Sequence, residues 1–118
     1  MRSQLSARHW IGGEWVDSVT RLDSINPAAS ETIGTYANAS AIEVTQAIAV
    51  ARLAFFQTDW KENRRLGAKA INEMADRFEA RMDDLVEILS LENGKVRDEA
   101  RFEVSMVPSK LRFTQRWH

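Results

Sequence analysis

The side chains able to do chemistry are few and badly placed for it. The only imidazoles, His9 and His118, stand at opposite ends of the 118-residue chain, and there is no cysteine. Thiolate nucleophiles, disulfides and cysteine-based metal sites are therefore excluded. No serine lies in a G-x-S-x-G setting, so a serine triad built on His9 or His118 has no local support. Both histidines read more simply as an edge-strand residue and a chain terminus. Metal sites fare no better, since no histidine pair is spaced i,i+4 and no acidic loop resembles D-x-[DN]-x-[DN]-G. Asp83 and Asp84 read as an acidic first helical turn, favoured by the helix dipole. The glycines at 12, 13, 34, 67 and 94 form neither G-x-G-x-x-G nor a P-loop, so no phosphate cradle is expected.

Lys110, Arg112 and Arg116 are interleaved with Phe113 and Trp117, a pattern that could stack bases and meet phosphates. Three charges are few for that purpose, and cations in the last turns of a helix are favoured by its dipole. The formal net charge is -1, with 16 basic and 17 acidic residues, so no global field draws nucleic acid or an anionic membrane. Neither partner is expected. Trp10, Trp15, Trp60 and Trp117 read as core aromatics. No apolar run follows the N-terminal arginines, and the stretch 33–56 is interrupted by Glu43 and Arg52, which excludes a signal peptide and a membrane span there. A soluble, cytoplasmic protein is the expectation.

The elements that hold these residues change character once along the chain. Residues 1–39 read as strands and turns. Trp10-Ile11 and Trp15-Val16 flank Gly12-Gly13, a hairpin with glycines where positive φ is needed. Arg21 to Ile25 and Thr32 to Ala37 read as strands on either side of an Asn26-Pro27 turn.

Residues 40–118 read as three to four helices. Ser40 and Glu43 have capping-box spacing, and Val44, Ile48, Ala51 and Phe55 make one stripe that ends near Thr58-Asp59, residues that cap the next helix or fill the loop before it. Leu66, Ala70, Ile71, Met74, Ala75 and Phe78 make a second, in which Glu73 and Arg77 are spaced for an ion pair. Met82, Leu85, Val86 and Leu89 make a third, as a new helix or a bent continuation, that stops at Asn93-Gly94-Lys95. The last segment carries two stripes, Ala100, Val104, Val107, Leu111 and Phe102, Met106, Phe113, Trp117, with Pro108 between them to bend the helix. A helix apolar on two sides needs covering from two sides. The fold class is α+β, and residues 1–118 read as a single, incomplete domain.

Taken in order, the pieces resemble the opening part of the aldehyde dehydrogenase superfamily. They are His9 to Val16 (HWIGGEWV), Ile25 to Ala28 followed by Glu31, Ala51-Arg52, Ala54-Phe55, Trp60, Arg65-Leu66, Ala75-Asp76-Arg77 and Leu91 to Lys95 (LENGK). One departure is Ala29-Ser30, where the family usually has Thr-Gly; a serine there is tolerable if φ stays negative. The resemblance implies the first layer of an α/β, Rossmann-like cofactor domain. It implies a family reaction, aldehyde plus NAD or NADP to carboxylic acid, whose cysteine nucleophile, glutamate base and cofactor motifs have no counterpart here.

No catalytic and no cofactor-binding residue is therefore expected in this chain. The partners implied are the missing C-terminal remainder or homologous subunits, including a homo-oligomer. In many relatives a monovalent cation lies between the main-chain carbonyl before Asn-Pro and the acid before Asn-Gly-Lys, here Ile25 and Glu92. The competing expectation is a stand-alone interaction module derived from the family, binding an intact subunit or its own copy through exposed helix faces.

Overall fold

The computed structural model describes residues 5–114; Arg116, Trp117 and His118 lie outside them. Five strands precede four helices in the order β1 (Leu5–Ala7), β2 (His9–Ile11), β3 (Glu14–Val16), β4 (Arg21–Asn26), β5 (Glu31–Ala37), α1 (Ala41–Gln57), α2 (Arg64–Ala80), α3 (Met82–Asn93) and α4 (Arg97–Thr114). The fold is α+β. The chain divides into two compact units, Met1–Thr58 and Asp59–His118.

In the first unit β2 and β3 form the expected hairpin, with Trp10 opposite Trp15, and Gly12 and Gly13 turn at φ 64° and 87°. The two rings meet edge to face, centroids 4.8 Å apart. A second sheet has the order β1-β5-β4, with β4 antiparallel and β1 parallel to β5. The register slips between Ser24 and Ile25: Ser24 faces Gly34 and Ile25 faces Thr32, so Ile33 is the extra residue of a bulge.

Arg21 binds this sheet together. Its guanidinium donates to the Thr35 hydroxyl (3.2 Å), the Ser6 hydroxyl (2.8 Å) and the Ala7 carbonyl (3.0 Å), and it pairs with Asp17. Ser40 and Glu43 close the capping box of α1: the Ile42 N–H donates to the Ser40 hydroxyl at 3.2 Å, and the Ser40 N–H donates to Glu43 at 2.7 Å. No residue of α1 is buried. Val44, Ile48 and Phe55 are all exposed, so the stripe that defines the helix is not buried.

The second unit is a helical cluster. Val86, Ala100 and Val104 form its centre, with Phe78, Met82, Leu85 and Leu89 packed around them. Asn63, not Thr58 or Asp59, caps α2, accepting from the Leu66 N–H at 3.0 Å, while Thr58 and Asp59 lie between α1 and α2. Glu73 pairs with Lys69 at 3.7 Å rather than with Arg77. Arg81 alone separates α2 from α3, and Gly94 ends α3 at φ 67° as expected.

α4 runs through Pro108, which is fully buried. The proline removes one intrahelical bond without ending the helix. Of the two stripes of α4, the Ala100–Val104 side is covered by α2 and α3. On the other side, Phe102, Met106 and Phe113 are exposed.

Candidate functional site

Ile25 sits in β4 at the bulge, immediately before the Asn26-Pro27 turn. The Asn26 side chain accepts from the Ala28 N–H (2.9 Å) and its carbonyl accepts from the Ser30 N–H (2.8 Å), which closes the loop tightly. Closure forces Ser30 to φ 57°, the one non-glycine residue with positive φ among those described. The condition set for a serine at this position is therefore not met. A Cβ in the left-handed region costs about 1–2 kcal/mol, so Ser30→Gly is expected to stabilise the first unit by up to about 1 kcal/mol after the added freedom of the unfolded chain is subtracted. Thermal unfolding of the variant checks this, and an unchanged or lower midpoint contradicts it.

Glu92 is in the last turn of α3, one residue before the Asn93-Gly94 end, and is exposed. Ile25 and Glu92 thus lie in different units. Both offer hard oxygen donors, a carbonyl and a carboxylate, which is the donor class an alkali cation takes. No group of three or more His, Asp or Glu side chains that could hold a metal ion is present among the described residues.

His9 lies in β2, and its Nε2 is 2.9 Å from the Ser18 hydroxyl. Ser18 is half-buried just before the bend at Val19, and its N–H donates to the Asp17 carboxylate at 2.9 Å. Glu43, on which His9 acts only as the smallest influence after Ser40, is committed to the Ser40 cap. The pair fastens the hairpin to the following bend. His118 lies outside the described residues.

The remaining candidates resolve into helix-to-helix ties. Asp83 binds Arg101 across to α4 at 2.9 Å, and Asp84 binds Arg81 at 3.3 Å. Arg112 clamps α4 to α2 with a two-pronged contact to Glu79 (2.7 and 2.8 Å) and one to Asp76 (2.7 Å). The basic run near the end of α4 is thus anchored by Arg112, and the acid pair spaced i,i+3 on α2 is the sequence signal that could have revealed it. Trp10, Trp15 and Trp60, read as core residues, are 60 %, 60 % and 47 % exposed. The two hairpin tryptophans cover each other, with Arg8 over the Trp15 ring, instead of a core.

Three carboxylates are held below their ordinary range. For Asp17 the main cause is the Ser18 N–H, with Arg21 adding; for Glu43 it is the Ser40 hydroxyl and N–H; for Glu79 it is Arg112, whose own pKa is raised in return. A carboxylate with a lowered folded pKa favours the folded state above its unfolded value and loses that contribution as the pH falls through the folded one. Thermal stability is therefore expected to hold from neutral pH to about 5 and to fall below about 4. All three groups are exposed, so salt should blunt the change. Stability that rises on acidification would contradict this assignment.

The sequence model of the aldehyde dehydrogenase family matches residues 15–118. Malonate-semialdehyde dehydrogenase 3 of Bacillus cereus is 33% identical over 102 residues, 82% of this chain and 20% of the relative. The chloroplastic betaine aldehyde dehydrogenase of Atriplex hortensis is 33% identical over 103 residues, 83% of this chain and 20% of the relative. Among solved structures, an NAD-dependent aldehyde dehydrogenase from Sinorhizobium meliloti superposes with a TM-score of 0.90 at 30% identity, over 97% of this chain and 24% of that one. A betaine aldehyde dehydrogenase variant from Staphylococcus aureus in complex with NAD+ gives 0.88 at 27% identity, again over 97% and 24%. The chain spans about a fifth of the length of the curated relatives it matches. These 118 residues belong to the aldehyde dehydrogenase family and correspond to the N-terminal portion of its fold.

Proposed function

We propose that this chain is the opening scaffold of an NAD(P)-dependent aldehyde dehydrogenase, part of the cofactor domain, and supplies no group that touches the aldehyde or the nicotinamide. The observation that carries the reading is the pairing of a family match along the chain with an apolar helix, α1, that buries none of its residues. Helices in proteins are held mostly by packing of their apolar face, so α1 needs a cover to be more than marginal. In the completed enzyme the nicotinamide would accept hydride from the substrate, and the thiol chemistry would come from residues other than these, since the chain has no cysteine. What these residues do is fold two compact units and present the α1 and α4 faces.

Complementation tests the proposal. The chain is mixed, during refolding or by co-expression, with the remainder of the Sinorhizobium meliloti enzyme from which the matching portion has been removed. Recovery of NAD-dependent aldehyde oxidation is the expected result. A remainder that binds this chain no better than an unrelated protein and stays inactive would overturn it.

A further inference from the structure

The uncovered side of α4 is one face of mixed chemistry. Glu99, Phe102, Glu103, Met106 and Lys110 recur at i, i+3, i+4, i+7 and i+11, so they lie along one side of the helix, and all five are exposed. Ala100, Val104 and Pro108 lie on the other side and are buried. The N-terminal part of the exposed face is an open depression lined by Lys95, Asp98, Glu99, Phe102 and Glu103, in which Phe102 is 66 % exposed. Lys95 pairs with Glu103, whereas Asp98 and Glu99 make no ion pair among the described residues. An aromatic wall beside unspent carboxylates suits a cation carried on an apolar stem. One turn beyond Met106 the same face carries Lys110, also without an ion pair among the described residues.

We propose that two copies of this chain pair through this face, antiparallel about a twofold axis near Met106, with Lys110 of each copy entering the Phe102 depression of the other. Spacing sets the register. Phe102 and Lys110 each stand four residues from Met106, about 6 Å of helix, so reversing one helix brings them opposite each other with Glu99 and Glu103 within one turn. Charge selects the direction. A parallel pair would set Glu99 against Glu99 and Lys110 against Lys110, and like charges facing one another at an interface are costly. The antiparallel pair replaces both conflicts with contacts between opposite charges, made twice by symmetry. It also sets Met106, 39 % exposed in a single copy, against its counterpart. Such a contact is isologous, so it closes at two copies. Every residue it uses belongs to the second unit. The inference goes beyond the scaffold role and does not rest on it.

Sedimentation velocity of the purified 118-residue chain, with cross-linking of single-cysteine variants, is the test. One helix face per copy makes a small, weak contact, so the mass is expected to rise to that of two copies between about 10 μM and 1 mM and to stop there. Lys110→Glu and Glu99→Lys are each expected to weaken association about tenfold, and K110E/E99K together to recover most of it. Each single reversal also costs a little helix stability at its end of α4. The double variant carries both of those costs, so its recovery separates docking from folding. Phe102→Ser weakens pairing with the charges intact. The chain has no cysteine, so the cross-link reads the register cleanly. Met106→Cys should oxidise to a linked dimer, whereas Glu99→Cys should not, because the antiparallel pair holds the two copies of that position about 20 Å apart along the helix. A monomer up to about 1 mM, growth beyond two copies, association unmoved by the reversals, or Glu99→Cys linking as readily as Met106→Cys would overturn the proposal. Each of those outcomes leaves the complementation experiment free to succeed or fail separately.

Discussion

Val86→Asp is expected to unfold the helical unit. Val86 has no solvent exposure and touches the side chains on which the unit closes, Ala100 and Val104 beside it and Phe78, Met82, Leu85 and Leu89 around it. An isolated carboxylate at such a place either stays charged at a large desolvation cost or stays protonated with its polar atoms unsatisfied; with the lost apolar contact the penalty is about 4 kcal/mol or more. A single core in so small a unit supplies only about 3–5 kcal/mol. Most of the helical circular-dichroism signal from α2, α3 and α4 should be lost in the variant at room temperature. Val86→Ala leaves a small void and should cost about 2 kcal/mol, visible as a lowered midpoint with the fold retained. A Val86→Asp chain that melts like the parent would mean that the core is elsewhere.

The second large effect falls at Gly34. It is buried in β5 directly opposite Leu5, and a Cβ built on it would lie 2.3 Å from the Leu5 carbonyl oxygen and 2.8 Å from the Leu5 Cβ. The first of these is backbone, so β1 itself must move. Gly34→Ala should therefore displace Leu5–Ala7 at a cost of about 2 kcal/mol, limited by what docking that short strand is worth. Its three pairings with Gly34, Thr35 and Tyr36 go, and so do the Arg21 bonds to Ser6 and Ala7. The β4–β5 ladder should remain. Hydrogen exchange reads this directly, as protection lost in β1 and kept in β4. Gly67→Ala is the contrast: it lies inside α2, nothing stands within 4 Å of its added Cβ, and it should stabilise by about 0.5–1 kcal/mol. If the two substitutions behave alike, the close approach of Leu5 to Gly34 is wrong.

How much of this was legible beforehand follows from whether a feature is local. Gly12-Gly13, the Ser40/Glu43 box and the Gly94 stop depend on a few adjacent residues, and each is found where its residue types demand. β1 was not foreseen, because three residues carry no readable alternation and Leu5–Ala7 is extended only through a distant parallel partner. Asn63 was passed over as a cap in favour of Thr58 and Asp59, the residues nearest the end of the preceding stripe. Ser30 looked tolerable at negative φ, and only the closing Asn26 bonds reveal that the turn forces it positive. The tryptophans were misjudged because size argues for burial, while an eight-residue hairpin can shelter two rings only against each other.

The family was legible in the order of the residues along the chain. A missing thiol excludes thioester chemistry from composition alone, whereas the family emerged from many short words in sequence rather than from any one residue. The two stripes of α4 implied a cover on each side, and the structure supplies one of them.

The central claim is that this stretch of an aldehyde dehydrogenase builds the frame and contributes no reacting group. Its most direct test is to incubate the purified 118-residue chain with a panel of aldehydes and NAD+ or NADP+ and to follow formation of the reduced nicotinamide. The rate should equal that of buffer for every aldehyde. Turnover that tracks the concentration of this chain, and that survives removal of trace contaminating enzyme, would contradict it.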